Sequence, residues 1–173
     1  AIEQNYYGVI KSFEENFAEL NLLKDSNNIT PLYYAIHNHR KEITDLFLSK
    51  LKLSQIRNKI IYLFKAAKIR DENLVMKLLD IGMTTKIKDE NGSNLFHYLF
   101  MDFNKQMEKS ILICDILIEN SDTDVYNNLN KEGWAPIHIA SRNNTADCIK
   151  YIIEKNAKEN KTLFDINIKV RKK

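Results

Sequence analysis

The chain has four histidines, His37, His39, His97 and His138, and two cysteines, Cys114 and Cys148. Together these could form a Cys–His nucleophile pair or a zinc site. A nucleophile pair needs the base within hydrogen-bond reach of the thiol. Both cysteines instead sit inside apolar helical runs, with no histidine beside either. No short Cys/His or carboxylate spacing resembles a zinc site, and no glycine-rich phosphate loop occurs. The sequence therefore predicts no catalytic residue, no metal and no cofactor. The two thiols read as buried and inert in a reducing, cytoplasmic compartment.

Bulk charge excludes further classes. Lys and Arg total 26 against 23 Asp and Glu, a formal charge of +3. Nucleic-acid binders concentrate basic residues on one face, and no such partner is expected. No apolar run reaches the length of a membrane span, so direct membrane insertion is not expected, and no secretory leader opens the chain. The basic end, Val170-Arg171-Lys172-Lys173, reads as a solvated turn. Richness in Asn, Lys and Ile points to an AT-rich source genome. Because the chain begins at Ala1, the expectation is a piece of a larger polypeptide.

The stretch from Lys131 to Glu154 shows what would position these side chains. Lys131-Glu132-Gly133 signals a turn, and Pro136 suits the first turn of a helix. Ile137, Ile139 and Ala140 begin a short apolar helix, which Arg142-Asn143-Asn144 interrupts. Cys148, Ile149, Ile152 and Ile153 then recur at helical spacing. A unit of this size cannot bury its own apolar face and needs copies on either side. Copies occur at Asn28-Ile29-Thr30-Pro31-Leu32, with Leu46-Phe47-Leu48 behind it, and at Asp89 to His97, with Ile116 to Glu119 behind it. A degenerate copy runs from Ile61 to Gly82 and contains Ala66-Ala67 and Leu74 to Leu79.

On Thr30-Pro31-Leu32, Lys88-Asp89-Glu90-Asn91-Gly92 and Ala135-Pro136-Ile137-His138, the chain resembles the ankyrin repeat, clearly from Asn28 to Ala157. Thr30, Ile61, Asn94 and Ala135 are equivalent, in steps of 31, 33 and 41 residues; the family period is about 33. The resemblance implies an all-α ankyrin-repeat α-solenoid: helix-turn-helix pairs joined by short β-turn fingers. The expected division is an N-terminal cap or half repeat over 1–24 and repeats over 25–55, 56–88, 89–129 and 130–160. Residues 161–173 then lead into a further, truncated unit.

Three local expectations follow. His39 stands where the family places a left-handed glycine, and Gly82 stops an outer helix. The second unit lacks the finger signature, so its turn is expected to be shortened or absent, with Ser54 capping a helix that runs into Ile60 and Ile61. The insertion from Met101 to Lys109 in the third unit is expected to extend the outer helix backwards from Ile111, and 120–128 reads as a polar connection. His97 and His138 take the family's structural histidine position, bonding backbone across neighbouring loops.

The implied function is a non-catalytic module that recruits or positions a protein or peptide partner on its concave face. In the first unit the candidate wall comprises Ser26, Asn27, Ile29, His37 and Asn38. Lys68 and Ile69 follow in the second, then Glu90, Asn91, Ser93, Met101 and Asp102 in the third. The fourth adds Lys131, Glu132, Trp134, Arg142 and Asn143. Trp134 and Arg142 are the residue types that dominate binding energy. Trp134 also admits a plain packing role on the neighbouring turn. Alternatives are the substrate-recruiting region of an enzyme chain, such as a protein S-acyltransferase or kinase, or a spacer in a large assembly.

Overall fold

A computed structural model describes residues 19, 23–27, 29–56, 59–122, 124–143, 145–159 and 162–170. The cap or half repeat expected over 1–24 lies almost wholly outside them. Eight α-helices follow in four pairs: α1 (Pro31–His37) with α2 (Lys41–Lys50), α3 (Lys59–Lys68) with α4 (Glu72–Asp80), α5 (Leu95–Met101) with α6 (Met107–Glu119), and α7 (Pro136–Arg142) with α8 (Ala146–Lys158). No strand occurs among the described residues.

The first helix of each pair is inner, the second outer. Inner helix packs on inner helix along the row α1, α3, α5, α7, and α4 packs on α6 behind them. Leu32, Leu63, Ala66, Leu99 and Ala140 are fully or almost fully buried in this row. Rings fill the later interfaces. Phe96 meets Phe100, Tyr126 and Phe164 edge-on, with centroids 6.0, 5.4 and 5.5 Å away. Fully burying one such side chain is worth about 1.5–3 kcal/mol. An exposed ion pair such as Lys86–Asp122 adds little, because solvent screens it. Apolar contact between neighbours therefore holds the row.

In the first, second and fourth units the inner helix reverses into its outer helix within three residues. In the first two units one left-handed residue makes that turn, His39 at φ 55° and Arg70 at φ 58°. The same backbone bonds close both: Arg40 N–H to Ala35 O at 2.8 Å and Asp71 N–H to Ala66 O at 3.1 Å. Thr145 N–H to Ala140 O, 3.0 Å, repeats them in the fourth unit. Gly82, at φ 96°, ends α4 as the sequence implied.

Two regions differ from expectation. Ser54 caps no α-helix; it lies within a 3₁₀ turn, Leu53–Gln55, and α3 begins only at Lys59. The Gln55 side chain, one residue on, closes that turn by accepting from Lys52 N–H at 2.8 Å. In the third unit α6 does start four residues before Ile111, at Met107, but Phe103–Gln106 forms a separate 3₁₀ turn. Phe103 is the reason, because its fully buried ring pulls the insertion down onto the stack against Phe100 and Tyr151. The connection 120–128 is less polar than its composition suggests, since Val125 and Tyr126 are buried.

Arg70 joins the second and third units from inside. It is 4% exposed. Its guanidinium donates to Ala67 O (2.7 Å), Leu99 O (3.3 Å), Asp102 O (3.2 Å) and Ser110 Oγ (2.9 Å). Ala67 lies in the last turn of α3, Leu99 in that of α5, and Asp102 caps α5, where helix dipoles put partial negative charge. A planar fork of five donors suits such divergent acceptors; a lysine ammonium does not. Arg70→Ala strips these groups of their donor and is expected to cost about 3 kcal/mol. Arg70→Lys is not expected to restore the loss. Urea denaturation checks this, and a loss under about 1 kcal/mol for the alanine variant contradicts it.

Candidate binding surface

The fingers start from a single acceptor. Asp25 Oδ1 accepts the N–H of Asn27 and of Ile29, at 2.9 and 2.8 Å. Asp89 Oδ1 accepts Asn91 and Ser93, at 2.9 and 2.7 Å. Asn130 Oδ1 accepts Glu132 and Trp134, both at 3.0 Å. A short polar side chain bonding its own following backbone folds the chain tightly without a strand partner. The finger bases also close on themselves, Asp89 N–H to Ser93 O at 2.9 Å and Asn130 N–H to Trp134 O at 2.9 Å. Adjacent fingers touch through Lys131 N–H to Asn91 O at 2.8 Å. Gly92 sits at that contact with φ +74°, where a Cβ would lie 3.4 Å from Lys131 N.

In two units the inner helix also binds the finger carboxylate. Tyr34 Oη–H donates to Asp25 Oδ2 at 2.7 Å, and Tyr98 Oη–H to Asp89 Oδ2 at 2.8 Å. The Tyr34 hydroxyl, then the Ile29 amide, hold Asp25 below its usual range. Burial, then the bond to Asp89, pushes the Tyr98 hydroxyl up to about 12.

The second unit breaks the pattern. Ile56 occupies the register position of Asp25, and it is buried. It has no oxygen to nucleate a finger. α3 instead begins three residues earlier than its counterparts in register and spans 10 residues against 7 in α1, α5 and α7. The shortened turn read from the sequence is thus accounted for by one side chain. Lys65 holds the place of Tyr34 and Tyr98, and Lys68 the place of His37, Met101 and Arg142. Lys65 is half-buried; burial, then the Lys68 charge, lowers its ammonium pKa.

Two histidines tie each inner helix to the next finger. Asn94 N–H lies 3.1 Å and Asn94 Oδ1 2.8 Å from His97 Nδ1, and His97 Nε2 lies 2.9 Å from Trp134 O. His138 repeats this: Ala135 N–H donates to its Nδ1 at 2.9 Å, and its Nε2 lies 2.9 Å from Ile168 O. The expected structural role of both rings is what the geometry shows. Both rings are committed to backbone.

Most of the wall residues read from the sequence are exposed: Asn27, His37, Asn38, Lys68, Glu90, Asn91, Met101, Lys131, Glu132, Arg142 and Asn143. Ile29, Ser93, Asp102 and Trp134 are half-buried. Several have internal duties as well. Asn143 Nδ2 bonds Met101 O at 3.0 Å, and Asn38 Nδ2 bonds Tyr34 O at 2.9 Å. Lys105 pairs with Asp102 at 2.8 Å. The Arg142 guanidinium lies 5.1 Å from the Trp134 ring centroid, a cation–π stack across the turn. The Trp134 backbone is structural, while its ring stays half open under Arg142. Sequence reasoning missed Tyr34, Lys65 and Tyr98. The nine-residue step from Asp25 to Tyr34, repeated from Asp89 to Tyr98, was the available signal.

Cys114 and Cys148 are buried and free. Burial raises both thiols, Cys148 to about 12, which suppresses the reactive thiolate. No group of three or more His, Cys, Asp or Glu able to hold a metal occurs among the described residues. Nor is any described helix long and apolar enough to cross a membrane.

Residues 63–164 match the sequence model for ankyrin repeats, in three copies. FPV034 of fowlpox virus (strain NVSL), described as an ankyrin repeat protein, is 26% identical over 159 residues, covering 91% of this chain and 35% of its own length. FPV230 of the same virus, described likewise, is 25% identical over 169 residues, covering 82% of this chain and 86% of its own length. The chain thus spans about a third of the first of these relatives.

Burial also lowers the His97 pKa from its ordinary 6.5. The unfolded chain takes up that proton first, so stability is fully present above pH 6.5 and is lost as pH falls through the folded value. An NMR titration of the His97 ring is expected to show a midpoint below 6.5, with unfolding free energy declining over the same acid range. A midpoint at or above 6.5 contradicts this reading.

Proposed function

We propose that this chain, which belongs to the ankyrin repeat family, is a non-catalytic module that recruits or positions a protein partner as part of a larger protein. The partner lies along the finger tips and the exposed positions of the inner helices. We assign the repeats to 25–55, 56–88, 89–129 and 130–160, flanked by 1–24 and 161–173.

One observation carries this reading. Backbone bonds hold His97 and His138, the Asp25 and Asp89 carboxylates are bonded within their own units and the thiols are buried, yet the Trp134–Arg142 stack remains half open to the outside. Trp and Arg are the types most enriched among residues that dominate interface energy. Stacking preorganises both, so a partner does not meet the full entropic cost of ordering them. Two buried free thiols suit a reducing compartment such as the cytoplasm.

The test starts from proximity labelling in the source cell, followed by calorimetry with the purified partner. Trp134→Ala and Arg142→Glu are each expected to weaken binding tenfold or more, about 1.4 kcal/mol. Both variants should keep the wild-type thermal midpoint to within a few degrees. Unchanged affinity in both variants contradicts the assigned face. Wild-type chain that labels and binds no protein contradicts the module.

A further inference from the structure

Resting on the protein-binding reading, we propose that the fingerless second unit is a docking notch for a short acidic segment of the partner, one of whose carboxylates seats between Lys65 and Lys68.

The first and third units satisfy the wall internally. Tyr34 and Tyr98 each donate to a carboxylate at the base of their own finger, Asp25 and Asp89. In the second unit both members of that pair have changed. Lys65 replaces the tyrosine, and the buried Ile56 replaces the carboxylate. Lys68 adds a second ammonium one turn further along α3, and no ion pair joins either lysine to a described residue. The cation is where the internal acid would have met it, and the acid is gone. A carboxylate from outside restores the pairing that the neighbouring units make for themselves.

Local chemistry also sets the size of the occupant. The cationic spot is one unit wide, with Asp25 and Asp89 in the flanking units. A polyanion with a continuous charged backbone runs into those carboxylates; one or two side-chain carboxylates do not. Tyr34, 45% exposed, lies on one side in register. On the other, Phe64 and Tyr98 form an edge-to-face pair with centroids 4.9 Å apart. An apolar or aromatic side chain beside the acid would meet these rings. Lys59 and Ile60, already helical, stand in register with Gly92 and Ser93 of the third finger.

The probe is the peptide Gly-Glu-Phe-Glu-Gly, titrated to millimolar concentration into the full ¹⁵N-labelled chain. Its controls are Gly-Gln-Phe-Gln-Gly and a single-stranded oligouridylate. Saturable shifts are expected at the Lys65, Lys68 and Tyr98 amides with the acidic peptide only. Added salt should weaken them, and the double variant Lys65→Gln, Lys68→Gln should weaken them tenfold or more while its spectrum stays dispersed. No saturable shift, equal shifts with the glutamine peptide, or tighter binding of the oligouridylate overturns the proposal. So does a partner whose affinity falls in the Trp134 and Arg142 variants but is unchanged in the double variant. That last result leaves the binding module standing and removes only the notch.

Discussion

No helix pair in this chain can bury its own apolar face. The inner helices are two to three turns long, and one side of α1, α3 and α5 is completed by the inner helix that follows. Phe96 shows how far this goes: its partners come from its own helix, from the connection at Tyr126 and from Phe164 beyond α8. Stability of this kind accumulates between neighbours and has no single centre. Polar links are weaker, about 1 kcal/mol each, but they are directional. The bond from His97 Nε2 to Trp134 O sets where one finger stands relative to the helix before it. Packing supplies the energy of the row, and the histidines and Arg70 supply its register.

Function is then a matter of what packing leaves over. A polar side chain at Asp25, Asp89 and Asn130 makes a finger from four or five residues without a partner strand. Where Ile56 replaces it, the apolar side chain is drawn inward and the inner helix grows back over the gap. One substitution therefore serves the core and alters the surface together. The wall that results is uneven: tyrosine–carboxylate pairs on either side of two lysines, and a stacked Trp134–Arg142 pair at the far end. Such unevenness is where a repeat stack acquires selectivity, because the scaffold itself is the same in every unit.

The repeats were legible because the fold depends on local spacing. Turn chemistry at Asp89 to Gly92, Pro at the first helical position and the apolar face of each outer helix can all be read along the chain. His39 in the left-handed region was legible for the same reason. Arg70 was not, since an arginine in that position looks like a surface residue until the carbonyls of Leu99 and Asp102 are brought to it by the following unit. The 3₁₀ turn at Phe103–Gln106 was missed because helix-friendly composition gives no hint that Phe103 will be pulled inward. Register gave the exposed positions of the fingers and inner helices, but not the coupling of Tyr34 and Tyr98 to finger carboxylates. The repeated nine-residue step from carboxylate to tyrosine occurs in two units alone among the four, a fainter trace than helical periodicity.

The account rests on neighbours supporting neighbours, and native-state hydrogen exchange on His97→Ala tests this most directly. If coupling runs from one unit to the next, the Trp134 and Ser93 amides lose protection while the Ile29 amide, in the first finger, keeps its own. Equal loss at Ile29 and Trp134 would mean that the chain is held by a common core, and the separate units described here would not exist.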